Sequence, residues 1–237
     1  MGGQAINALD YALAPYVHKS FVKEIKKKIR EWMTFNIKKK IKDDPKWIDE
    51  IDFNKCRYTE YIDHDAKSDV ERQRKIARDL AIRELDSVMS EHVNCETDAQ
   101  YIYSLACEAV EEETKQAMEA LIHNFNTLHS RAGSQVPFSS LGYGMNTTQE
   151  GRLIIRKLLD ATWNGLGNGE TPIFPIQVMI IKDGINYNIG DPNYDLFKYS
   201  MKVSAKRLFP NWVSIDSSFN LPYYKPDNYN TFVTAMG

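Results

Sequence analysis

The chain has 237 residues, with 30 Lys and Arg against 32 Asp and Glu, so 30 − 32 gives a formal charge of −2. Hydrophobic residues make up 43% and charged residues 26%, which excludes a collagen, a wholly disordered chain and a disulfide-rich miniprotein. The near-neutral balance gives no global reason to bind nucleic acid or anionic lipid, and no apolar run reaches the roughly 20 residues of a membrane span. No secretory leader opens the chain, so a cytoplasmic protein is expected. Cys56, Cys95 and Cys107 form no CxxC pair; they read as inert thiols, and no metal site is expected.

In chain order, Phe21, Ile25, Ile29, Met33, Ile37 and Ile41 repeat every four residues. This predicts one amphipathic helix, with the lysines around the stripe on its solvated face. Asp43-Asp44-Pro45 breaks it. Trp47, Phe53, Tyr58 and Tyr61 are expected anchors of the mixed region that follows. Helices are predicted over 68–91 and 98–126, the second capped by Thr97 or Asp98. Glu111, Glu112 and Glu113 read as solvated surface.

From Thr127 onward the texture changes to Gly, Pro, Asn and Tyr with short apolar runs. Strands are predicted over 136–140, 173–182 and 212–215 and helices over 147–163 and 195–208, with Thr147 to Glu150 matching a capping box. Strand and helix alternate, which points to an α/β architecture, open or barrel-like.

Three segments are too particular to be scaffold. Between a helix and a strand, Ser130-Arg131-Ala132-Gly133 with Gln135 brings long hydrogen-bonding groups beside a flexible glycine. Such an arginine suits a phosphate or base edge, or equally a structural carboxylate. His123 and His129 are six apart and do not share a helix face. Gly165 to Pro172 fits neither GxGxxG nor a P-loop, and reads as a helix stop feeding a buried strand. In the run Asp191 to Phe197, Asp195 either caps a helix or neutralises an arginine.

These segments have a specific likeness. Gly2-Gly3-Gln4, the runs Asp10 to Pro15, Met118 to Asn124, His129 to Ser140, Gly165 to Gln177, Asp191 to Phe197 and Ser204 to Pro210 resemble, in family order, the anaerobic class III ribonucleoside-triphosphate reductases. The likeness is dense over 1–22 and 117–237 and thin over 43–110. It implies an α/β fold: part of the ten-stranded barrel of glycyl-radical enzymes, with a helical amino-terminal half. Residues 1–126 would be a mainly helical dimer and effector region, and 127–237 a barrel segment leading to the radical (finger) loop. The implied reaction converts ribonucleoside triphosphates to deoxyribonucleoside triphosphates by radical chemistry. Implied cofactors are a glycyl radical, formate as reductant, ATP and dNTP effectors, and a zinc site outside this chain. Implied partners are the ribonucleoside triphosphate substrate, the remainder of the reductase chain, a radical-SAM activating enzyme and a second copy in a homodimer, with no nucleic acid and no membrane.

Carried over residue by residue, Ser130, Arg131, Ala132, Gly133 and Gln135 match the substrate-specificity loop, with Arg131 and Gln135 facing nucleotide. Gln4, Asp10 and Tyr11 match the effector and dimer region. Met236 and Gly237 would line the active site. The family pattern continues after Ala235-Met236-Gly237 with the thiyl-radical cysteine, so an internal fragment with no catalytic residue of its own, inactive alone, is expected. The family usually has Asn at position 142 and Thr at 145, where this chain has Gly142 and Met145. A second reading is a catalytically dead nucleotide- or subunit-binding module derived from the reductase.

Overall fold

A computed structural model describes residues 4–36, 46–53, 55–61, 68–93, 96–127 and 136–228. The elements run β1 (Gln4–Ile6), α1 (Leu9–Asn36), α2 (Trp47–Glu50), α3 (Asp69–Ser90), α4 (Ala99–Thr127), β2 (Ser139–Tyr143), α5 (Gln149–Asn164), β3 (Ile176–Ile181), α6 (Tyr194–Arg207) and β4 (Asn211–Ser214), then a short 3₁₀ turn over Leu221–Tyr223. The chain forms two compact units. One joins Met1–Ala14 to Glu113–Gly237, and the other is Pro15–Glu112. The first boundary falls at Pro15 inside α1. Proline has no N–H, so the carbonyl of Tyr11 lacks its in-helix donor there.

The helical unit is built on the four-residue repeat. Phe21, Ile25, Ile29 and Met33 are buried on α1; Ile37 and Ile41 lie outside the described residues. Phe21 meets the rings of Tyr58 and Tyr103 edge-on, at centroid distances of 6.1 and 5.5 Å. Of the lysines around the stripe, Lys27 is exposed and pairs with Glu24, whereas Lys28, paired with Glu31, is largely covered; Lys38, Lys39 and Lys40 lie outside the described residues. Of the four expected anchors, Phe53 and Tyr58 are buried and Trp47 stacks on His92. Tyr61 instead is exposed. A capping box opens α3, in which the Ser68 hydroxyl accepts from the Glu71 N–H and the Glu71 carboxylate from the Ser68 N–H. Glu111 is half-buried rather than fully solvated, because its carboxylate accepts from the Tyr58 hydroxyl at 2.9 Å.

Cys56 and Cys107 are buried in this unit. Burial pushes their thiols up to about 12 and about 11 respectively, so neither forms a nucleophilic thiolate near neutrality. Cys95 lies outside the described residues.

The second unit is a four-stranded, all-parallel sheet in the order β1-β2-β3-β4. Gln177 on β3 donates to Thr162 on α5, and Trp212 on β4 donates to Ser200 on α6. Met179 follows Gln177 by two positions and pairs with Trp212, so both contacts leave the same face of the sheet. The crossover helices α5 and α6 therefore lie on one side, and each new strand is added on the same edge. That is a singly wound sheet rather than a doubly wound one.

Boundaries moved where proline and cap chemistry decided them. The strand expected over 136–140 runs Ser139–Tyr143, since Pro137 cannot donate to a ladder. Thr148, not Thr147, caps α5, and its third helical residue is Gly151, so no capping box forms. The glycine segment is the expected helix stop: Gly165 sits at φ 81°, and a Cβ there would come within 2.5 Å of the Glu170 carbonyl.

Candidate active site at the carboxyl ends of the strands

In a parallel sheet the loops that leave the carboxyl ends of the strands face the same way and carry ligand chemistry. The turn after β2, Gly144-Met145-Asn146, is held on three sides. Asp10, in the first turn of α1, is fully buried. Its carboxylate accepts the N–H groups of Gly144 at 3.0 Å, Asn146 at 2.9 Å and Tyr11 at 3.1 Å. The Asn146 side chain returns a hydrogen bond to the Asp10 carbonyl at 3.1 Å. Burial raises the Asp10 pKa, and the amide donors from Asn146, Gly144 and Tyr11 oppose that shift without cancelling it. Gly144 is required as glycine, because its φ is +123° and a Cβ would lie 2.8 Å from the Ile180 carbonyl.

From the other side, Asn186 donates to the carbonyls of Gly144 at 3.0 Å and Ile180 at 2.8 Å, locking β2 to β3 at their ends. Asn193 donates to the carbonyls of Gly144 and Asn146. Its own amide oxygen accepts from the buried Arg152 at 2.8 Å. Arg152 then forms a two-pronged pair with Asp195, at 3.0 and 2.6 Å. Asp195 thus neutralises an arginine, the second of the two roles open to it in the sequence, and it also receives Arg156. The run Asp191 to Phe197, the start of α1 and the turn after β2 are parts of one polar network.

Beside this clamp lies a cleft of about 500 Å³, lined by Ile181, Asp183, Tyr187, Asn188, Ser214, Asp216 and Ser217 at the ends of β3 and β4. Asp216 accepts from the Lys182 ammonium at 2.8 Å and the Asp183 N–H at 2.7 Å. Burial pushes its pKa up, but these two donors outweigh burial and hold the carboxyl below its usual range. The Lys182 ammonium also sits 5.1 Å over the Tyr224 ring. Tyr11 donates to the Met145 carbonyl, and burial, with Asp10 and Tyr224 nearby, pushes its phenol up to about 12. Chemically the region offers fixed carbonyls, an ammonium–carboxylate pair and hydroxyls, which suit recognition of a polar ligand. Among the described residues no three His, Cys, Asp or Glu side chains come together as a metal site.

Of the residues singled out from sequence, Asp10 and Tyr11 belong to this clamp and lie in the unit that contains the sheet. Gln4 opens β1, pairs with Ser139 and is exposed. Ser130, Arg131, Ala132, Gly133 and Gln135 lie outside the described residues, as do Met236 and Gly237. The end of α4, from which the 128–135 segment departs, is described. There Asn126 accepts from the N–H groups of Ile173 at 2.9 Å and Phe174 at 3.1 Å, and donates to the carbonyl of Phe174. Next to Gly142 and at Met145, the turn's polar contacts run between backbone groups and the side chains of Asp10, Tyr11, Asn186 and Asn193. Met145 packs its side chain with Ala8, Ile180 and Ile215. Sequence reasoning missed Asn146, Asn186, Asn193 and Arg152; of these only Asn193 stood in a segment already marked as unusual.

Fold and site together define an α/β protein with a singly wound parallel sheet and a buried polar clamp at the strand ends. The profile of the family described as anaerobic ribonucleoside-triphosphate reductase matches residues 1–237. The chain belongs to that family. It is similar to the anaerobic ribonucleoside-triphosphate reductases of Haemophilus influenzae, 40% identical over 108 residues, and Escherichia coli K12, 39% identical over 126 residues. That of Enterobacteria phage T4 is 36% identical over 105 residues. These matches cover 45%, 53% and 44% of this chain. They cover 15%, 17% and 17% of those relatives, so each match spans about one sixth of a longer protein.

Proposed function

We propose that these 237 residues are a barrel segment of an anaerobic ribonucleoside-triphosphate reductase that converts ribonucleoside triphosphates to deoxyribonucleoside triphosphates and that is inactive alone. The observation that carries this reading is the family match across residues 1–237, and the one-sided winding of the sheet supports it. In this reading β1 and β4 are neighbours of further strands in a ten-stranded barrel. A glycyl radical, acting through a thiyl radical on a cysteine, would supply the hydrogen-abstraction chemistry, and formate the reducing equivalents. This chain's own residues shape the site. Asp10, Asn186 and Asn193 hold the β2 and β3 ends against which substrate rests. Asn126 anchors the base of the specificity loop, whose Arg131 and Gln135 face nucleotide. Met236 and Gly237 line the active site. Residues 1–126, with Gln4, Asp10 and Tyr11, serve the dimer and the ATP or dNTP effectors, and a radical-SAM enzyme activates the whole in the cytoplasm. No described helix is long and apolar enough to cross a membrane.

The test is reconstitution. The purified chain alone, with activating enzyme, formate and CTP, should form no dCTP. The complete reductase polypeptide containing these residues should form it, and Arg131→Ala should change the preference among the four ribonucleoside triphosphates. Turnover by the isolated chain, or none by the complete polypeptide, would contradict the reading.

A further inference from the structure

Arg152 stands near the start of α5 with only 2% of its side chain exposed, a depth at which a cation needs partners. Its guanidinium reaches four oxygens. Nη1 donates to the Pro192 carbonyl at 2.7 Å, the Asn193 amide oxygen at 2.8 Å and Asp195 at 3.0 Å, and Nη2 donates to Asp195 at 2.6 Å. Ion pairing alone does not require that depth, since Asp195 is 47% exposed and also receives Arg156 at 3.0 Å. What the buried arginine adds is the contact with Asn193. That side chain is fully buried, and its amide lies between the guanidinium and two carbonyls, those of Gly144 at 3.2 Å and Asn146 at 3.0 Å. A guanidinium only donates and a carbonyl only accepts. Asn193 therefore fits one way round, its oxygen towards Arg152 and its NH2 towards the turn. With an apolar side chain in place of Arg152, the amide is free to turn over and set its oxygen against the two carbonyls.

We propose that Arg152 is a positioning residue for the reductase reaction: by fixing the orientation of the Asn193 amide, it sets the Gly144-Met145-Asn146 turn against which the ribonucleotide rests. The inference rests on the reductase reading given above, in which the ends of β2 and β3 support substrate. Arg152 acts through Asn193 and touches no substrate itself. Its effect falls on binding and is read as KM, because a displaced turn weakens contacts made equally in the ground and transition states. A purely structural role would lower the amount of folded enzyme, and with it the apparent kcat, and would leave KM alone.

The experiment uses the complete reductase polypeptide that contains these residues, activated and supplied with formate, with CTP varied. Arg152→Met keeps a long side chain and leaves Asp195 with its partner Arg156. It should raise the KM for CTP about tenfold, the effect of one or two lost buried hydrogen bonds, with kcat changed by less than about twofold. Arg152→Lys keeps a donor for Asn193 but loses the fork on Asp195; it should lower stability in urea and restore most of the KM. Asn193→Ala should raise KM as Arg152→Met does, and the double variant no further than Asn193→Ala alone. If Arg152→Met does not fold, Asn193→Asp decides. It keeps the shape and the partner of the arginine but cannot donate to the carbonyls, so KM should rise by the same order in a stable protein. The inference is overturned if KM is unmoved in Arg152→Met or in Asn193→Asp, or if the losses at positions 152 and 193 simply add. No dCTP from the native complete polypeptide would contradict the reductase reading and take this inference with it, whereas dCTP formation with KM unmoved would overturn this inference alone.

Discussion

Asp10 shows how one buried side chain serves a whole turn. Three backbone N–H groups point at its carboxylate and lose that acceptor if it is removed. Asp10→Ala should therefore destabilise the chain by about 2–4 kcal/mol in urea unfolding. Asp10→Asn keeps one oxygen for Gly144 and Asn146 and should cost less. The pH dependence follows from the raised pKa. Where the unfolded carboxyl has ionised and the folded one has not, the folded state binds more protons, so stability falls as pH rises. The contribution of Asp10 is thus lost progressively from about pH 4, its unfolded value, up through its folded pKa. Asp10→Asn should flatten that part of the stability profile; an unchanged slope would show that Asp10 does not titrate there. The buried thiols give a second check. In a Cys95→Ser background, iodoacetamide at pH 8 should leave Cys56 and Cys107 unmodified until denaturant is added, and rapid alkylation of the folded chain would contradict their raised pKa values.

At the scale of elements, α5 stops at Gly165, and an arginine from another helix collects the carbonyls left free there. Arg207, in the last turn of α6, donates to the carbonyls of Trp163, Asn164 and Gly169 and to the Thr171 hydroxyl. A planar fork reaches several acceptors at once and an ammonium does not. Arg207→Lys should thus lose most of what Arg207→Ala loses, about 2–3 kcal/mol by urea unfolding; full rescue by lysine would mean that charge alone suffices. Apolar periodicity made α1 legible, and helical pattern with cap and stop signals marked α3, α4, α5 and α6. The apolar run of β3 was legible too. The start of β2 was not, because Ser139 and Ser140 are buried without being apolar and Pro137 shifts the ladder. The clamp was only half legible. Asp10 and Asp195 stood in recognisable segments, whereas Asn186 is one asparagine among several in a loop, and nothing local marks it as fully buried. Its role exists only because the topology places β2 and β3 side by side.

At the scale of the molecule, β1 and β4 are the outer strands of the singly wound sheet among the described residues, each paired on one side there. Each match spans about one sixth of the relative's length, and the barrel reading pairs β1 and β4 with strands from the rest of such a protein. The most direct measurement is made on the native product, purified without oxygen from its own cells. Its intact mass is determined, and it is assayed for conversion of CTP to dCTP with activating enzyme and formate. The account predicts a polypeptide well above 27.3 kDa that contains these residues, together with dCTP formation. A native product of 27.3 kDa that forms no dCTP, with no complementing chain alongside it, would contradict the account.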